Sequence, residues 1–74
     1  MLSKIDFSVI DLSDPNDWLP MEALSELYPH IPFPTIRFFY HQRVRKGLAP
    51  VCKKFGKQIL MNKKGFGHWM ANYD

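Results

Sequence analysis

Apolar and polar positions follow two different periods along these 74 residues. From Leu19 to Tyr28, apolar Met21, Leu24, Leu27 and Tyr28 recur at helical spacing, Pro20 suits a first turn, and Glu22 and Glu26 favour the positive end of the dipole. Pro29 stops this helix, and Pro29-His30-Ile31-Pro32-Phe33-Pro34 forces an extended turn. A second helix is predicted over Pro34–Lys46, with Pro34 at its first position. Stepping about 100° per residue puts Ile36, Phe39, Tyr40 and Arg43 on the core face with Val44 beside them, and leaves Phe38, His41, Gln42 and Arg45 opposite, with Arg37 at the margin. Gly47 supplies a left-handed stop. Leu48 to Met61 then reads as two short strands about a tight turn near Gly56. Asn62 can cap a third helix in which Phe66, Trp69, Met70 and Tyr73 share a face; Gly65 and Gly67 weaken it, so it must lean on packing. Trp18, Phe66, Trp69 and Met70 are expected in the core.

Ahead of these elements, Ile5-Asp6-Phe7-Ser8-Val9-Ile10 is β-prone and reads as an edge strand or a flexible arm, followed by the turn-rich Ser13–Asp17. The expected organisation is an N-terminal arm over 1–18 and a domain over 19–74. The fold class is α+β, with three short helices and a two-stranded hairpin.

At this length only about 60% of the unfolded surface is buried on folding, which leaves room for a core but hardly for a deep active-site cavity. An apolar fraction of 46% and an aromatic fraction of 15% are globular values. Net charge is only +3, but it is unevenly spread. Residues 1–30 set Lys4 against six carboxylates, net −5, while residues 31–74 set nine Lys and Arg against Asp74, net +8. A basic half of this kind favours a polyanion as partner. The single Cys52 has no disulfide mate, no apolar run approaches a membrane span, and the start lacks a signal sequence, so a cytoplasmic location is expected.

The order helix, tight turn, helix, hairpin, helix is that of a winged helix-turn-helix. It is carried by Leu19–Tyr28, Pro34-Thr35-Ile36-Arg37, Gly47-Leu48-Ala49-Pro50-Val51, Phe55-Gly56-Lys57-Gln58-Ile59-Leu60 and Phe66-Gly67-His68-Trp69-Met70. Together these blocks resemble the excisionase-like, MerR-type small DNA-binding proteins of phages and mobile elements, over about residues 19–71. The resemblance implies a second helix in a major groove, a wing on backbone or minor groove, and a role in recombination directionality or transcription control. The proline-rich turn and the run Phe38-Phe39-Tyr40 depart from the family's usual polar residues.

On that reading, Arg37 and Arg45 can donate two hydrogen bonds to guanine or one to phosphate. Gln42 suits adenine, His41 shares its face, and Thr35 can reach DNA from the helix start or act as a local cap. Phe38 can touch a thymine methyl, wedge a base step, or pack against protein. Arg43 lies on the core side, its stem packed and its head snorkelling out. Lys53, Lys54 and Lys57 suit phosphates, and Lys46 either a phosphate or the helix dipole. The partners implied are double-stranded DNA, an integrase or recombinase, and further copies of the chain on DNA. The three histidines and Cys52 lack metal-ligand spacing, and no phosphate loop, nucleophile elbow or acid/base carboxylate pair occurs, so no cofactor and no enzymatic activity are expected.

Overall fold

A computed structural model of the chain describes residues 5–73. Three strands, β1 (Trp18–Pro20), β2 (Cys52–Phe55) and β3 (Gln58–Asn62), form an antiparallel sheet in the order β1-β3-β2. Three helices, α1 (Met21–Leu27), α2 (Phe33–His41) and α3 (Lys63–Ala71), complete an α+β fold. The sheet has one more strand than the expected hairpin. β1 escapes the sequence pattern because it is three residues long and ends in Pro20, which an edge strand tolerates since one row of its N–H groups faces away from the ladder. No helix among the described residues is long and apolar enough to cross a membrane.

β2 and β3 are joined by the two-residue turn Gly56-Lys57, with Phe55 opposite Gln58. Gly56 has φ +64°, the left-handed value that the first position of such a hairpin turn demands. Pairing Trp18 with Asn62 and Lys53 with Leu60 fixes which residues share a face. Met61, Ile59 and Cys52 turn inward to the helices. Trp18, Lys53, Phe55 and Leu60 turn outward, where the segment Leu12–Pro15 lies beside them.

β3 passes directly into α3. Asn62 is wholly buried, and its side-chain oxygen accepts the Gly65 N–H at 2.9 Å as the helix cap, as its sequence position suggests. The inward face of α3 brings Phe66 and Trp69 into a core with Leu24 of α1, Ile36 and Tyr40 of α2, and Met61 of β3. Met70 packs at its margin, while Tyr73 is 39% exposed. Trp18, expected inside, is only half-buried on the outer sheet face. Two glycines cost a helix about 1 kcal/mol each relative to alanine, whereas burying one Phe contributes about 1.5–3 kcal/mol, so packing decides that α3 is helical.

Several boundaries differ from those expected. No strand forms at residues 5–10; Asp6 and Asp11 instead fold the chain into local turns, accepting the N–H of Ser8 and of Ser13, each at 2.9 Å. Phe7 alone of that run is buried in the core. Leu27 is half exposed because, at about 100° per residue, it stands roughly 120° around the helix from buried Met21 and about 60° from Leu24, at the edge of the buried face. The α-helical ladder of α2 ends at His41, not Lys46, when the Arg43 N–H bonds to the Tyr40 carbonyl three residues back. Val44 is consequently 82% exposed instead of lying beside the core. Gly47 still makes a stop, at φ +74°: the Leu48 N–H reaches the Arg43 carbonyl at 2.7 Å and the Gly47 N–H that of Val44 at 3.4 Å, a Schellman closure. Residues 49–51 form a 3-10 turn instead of strand, with Leu48 and Val51 fully buried.

Gly65 permits the closest approach in the core. A Cβ there would stand 2.1 Å from Val51 Cγ1, and Val51 is buried and β-branched, so it has little freedom to turn away. Gly65→Ala should therefore lower stability by about 1–3 kcal/mol in urea unfolding despite the better helix propensity. Combining it with Val51→Ala should cost less than the two changes separately. At Gly67 the nearest atom would be Tyr28 Oη at 3.1 Å, the end of a movable side chain, so Gly67→Ala should be close to neutral. Equal stability of Gly65→Ala and the wild type would refute this account of the contact.

Candidate nucleic-acid interface

Ile36 and Tyr40 bury one side of α2 and Phe39 packs on Trp69 with ring centroids 5.1 Å apart, so the rotation of the helix is fixed. Arg37, Phe38 and His41 are left exposed, and Arg45 is exposed in the turn that follows. Phe38 is 53% exposed and meets only Phe39, with rings tilted by 56° and centroids 6.0 Å apart, among the aromatic contacts of the described residues. Gln42 caps the helix and is half-buried. Thr35 looks elsewhere, lining a cleft of about 460 Å³ with Phe39, Trp69 and Tyr73, and so stands apart from Arg37, His41 and Arg45. Arg43 behaves as its position suggests: its guanidinium lies 4.1 Å from the Tyr40 ring centroid and donates to the Tyr40 carbonyl at 2.9 Å.

The lysines separate into distinct environments. Lys57 is exposed in the hairpin turn, and Lys53 and Lys54 are exposed on β2, but adjacent strand residues point to opposite faces. Lys53 lies on the outer face, its Nζ 4.4 Å from the Trp18 ring centroid. Lys46 is half-buried and donates to Tyr73 Oη at 3.0 Å, while its carbonyl accepts the Trp69 indole N–H at 2.7 Å. It therefore fastens the turn after α2 to α3.

The aspartates of residues 5–17 are used internally. Asp17 is 4% exposed, and its carboxylate lies 3.1 Å from Lys64 Nζ and 3.7 Å from Lys63 Nζ. Those lysines occupy the first turn of α3, where positive charge opposes the helix dipole, and Asp17 compensates. Its hydrogen bond and charge raise the Lys64 pKa, so that pairing persists through neutral pH and fades only as pH rises past the usual lysine range. Among the described residues no carboxylate pairs with Arg37, His41, Arg45, Lys53, Lys54 or Lys57.

The histidines and the cysteine are engaged with their neighbours. His68 Nε2 is 2.9 Å from the Asp6 carbonyl, which only accepts, so that nitrogen carries the proton. His30 stacks edge-on to Tyr28 and His41 to Tyr40. Two outer-face aromatics were not among the expected contacts. Phe55 is 71% exposed beside the hairpin turn and Trp18 accompanies it. The period-two pattern of Cys52-Lys53-Lys54-Phe55 held the signal for Phe55, since an inward Cys52 sends both Lys53 and Phe55 outward.

No protein-family model, curated protein or solved structure matches the chain.

Burial pushes the Cys52 thiol up to about 12. At pH 8 the folded thiol should then hold on the order of 10⁻⁴ thiolate, against roughly a tenth or more when unfolded. Alkylation should be about a thousandfold slower in the native protein than in urea, and comparable rates would contradict the buried placement. The Asp6 and Asp11 carboxyls are held below the usual range, chiefly by the Ser8 and Ser13 hydroxyls and N–H groups. Their stabilisation is present above the ordinary carboxylate range and is lost as pH falls through the lowered one. In a carbon NMR titration Ser8→Ala, which removes the hydroxyl and keeps the N–H, should move Asp6 part of the way back toward its ordinary midpoint and leave Asp11 unchanged; an unmoved Asp6 midpoint would contradict this assignment.

Proposed function

We propose that this chain is a non-enzymatic, sequence-specific DNA-binding protein of the winged helix-turn-helix kind, an excisionase-like factor that controls site-specific recombination of a phage or mobile element. The observation that carries this reading is the separation of charge. The exposed cations of α2 and of the β2-β3 hairpin have no carboxylate partners among the described residues, while the acidic side chains of residues 5–17 serve their own turns and the start of α3. Cations left this way are available to a polyanion. The exposed Arg37 and His41 of α2, and Arg45 in the turn behind it, are assigned to base edges in a major groove, with Phe38 beside them. Lys57 and the β2 lysines are assigned to phosphates, which add affinity without sequence information. Thr35, Gln42 and Lys46 contribute less directly, because each is half-buried.

The same surfaces suit a transcriptional regulator, and an integrase or further copies of the chain are the accompanying proteins this role calls for. One observation favours a different class, a protein-interaction module: Phe38 and Val44 are both large, apolar and more than half exposed. A gel shift with duplex DNA distinguishes the two, because an interaction module gives no salt-sensitive retention.

Neutralising about four to six phosphates should give a slope of roughly −4 to −5 in log K against log salt. A flat dependence would sink the electrostatic part. Arg37→Ala should relax base preference, whereas Lys57→Ala should weaken all duplexes alike and make the slope shallower by about one. The reverse pattern would exchange the two roles.

A further inference from the structure

We propose that Phe55 is an apolar wedge through which the hairpin enters a base step of the bound duplex, an inference that rests on the DNA reading above. Phe55 ends β2, at the last ladder pair before the Gly56-Lys57 turn, so its ring is carried at the far end of the sheet. It is 71% exposed, the most open aromatic ring among the exposed large apolar residues described. Lys53, Lys54 and Lys57 all lie within two residues of it and are exposed, with no carboxylate pairing to any of them among the described residues. An apolar ring surrounded by cations suits a polyanion whose interior is aromatic: the ammonium groups meet phosphate while the ring meets the face of a base.

The hairpin also has the support a wedge requires. The two-residue turn is short, β2 pairs with β3 up to Phe55 and Gln58, and β1 braces the other edge of β3 over Leu60–Asn62. On the outer face Phe55 shares a cleft of about 320 Å³ with Leu60, Trp18, Lys53 and the Leu12–Pro15 segment. Trp18 is anchored there by its indole N–H, which donates to the Leu12 carbonyl at 2.8 Å. The ring therefore stands on a backed apolar surface, and a base displaced from its stack has that surface beside it. Partial insertion of this kind unstacks one step and kinks the duplex by about 20–90°. Unlike the α2 contacts, it reads deformability in place of base edges, so it favours flexible pyrimidine–purine steps.

The test uses a duplex recovered from a random pool by repeated binding to the full chain, with 2-aminopurine substituted at successive positions. Wild-type protein should raise the fluorescence at one step several-fold. Phe55→Ala should abolish that rise and weaken binding by roughly 5- to 100-fold, with the salt slope unchanged. Phe55→Trp should keep the rise. Because Phe55 is exposed, unfolding curves of both variants should overlay the wild type. Lys57→Ala should do the opposite of Phe55→Ala, keeping the rise and making the slope shallower. A bound duplex with no fluorescence change at any step, or an undiminished change with Phe55→Ala, would overturn the wedge and leave the DNA reading standing. Failure to recover any duplex would overturn both. Self-association that Phe55→Ala removes, without a fluorescence change on DNA, would also overturn the wedge and assign the ring to a second copy of the chain.

Discussion

Asn62 accepts the Gly65 N–H while it is still paired with Trp18 across the sheet, and most of the domain depends on that double duty. No loop separates β3 from α3, so the helix takes its direction from the central strand. Gly65 then lies against Val51, and the next turns carry Phe66 and Trp69 into the core. From there Trp69 holds the Lys46 carbonyl, which fixes the turn after α2, and Phe66 meets Tyr28 at the end of α1 with centroids 5.4 Å apart. The chain thus positions two helices by anchoring a third. This is an economical solution for a small core, where each buried aromatic must hold more than one element.

What could be read in the sequence follows from how local each cause is. The Asn62 cap, the tight turn at Gly56 and the stop at Gly47 each need only a few neighbouring residues, and all three are present where the sequence put them. β1 depends on a partner more than forty residues away and carries a proline, so neither period nor propensity marks it. The early end of the α2 ladder is equally non-local. The Trp69 indole, from α3, takes the Lys46 carbonyl, and the Arg43 N–H turns to the Tyr40 carbonyl three residues back, so the chain tightens after His41 and Val44 is left in solvent. The residue types on the candidate interface were legible, but their grouping was only partly so. Arg37 and His41 could be placed from one helix, whereas Arg45 falls in the turn after it, and the division of Lys53 from Lys54 and the shared face of Phe55 and Trp18 required the strand register.

Formal charge and usable charge also differ in this chain. The acidic residues near the start do not form an opposing patch. Asp6, Asp11 and Asp14 accept hydrogen bonds from residues two positions on, and Asp17 occupies Lys63 and Lys64. Two of the nine cations in the basic half are spent in this way, and Arg43 and Lys46 are turned toward Tyr40 and Tyr73. The remaining positive charge is concentrated on the exposed side of α2, the turn behind it and the hairpin. A modest net charge therefore accompanies a local concentration of positive charge.

A three-stranded sheet has two open edges, and both are defended here. On β1 Pro20 removes a donor from the edge, and on β2 consecutive Lys53 and Lys54 put charge along the other. The β2 lysines consequently serve the protein when nothing is bound, because their mutual repulsion discourages a second chain from extending the sheet. Solubility and the polyanion affinity proposed above would then rest on the same two side chains. A descendant of this sequence with no polyanion to bind would still be under pressure to keep them.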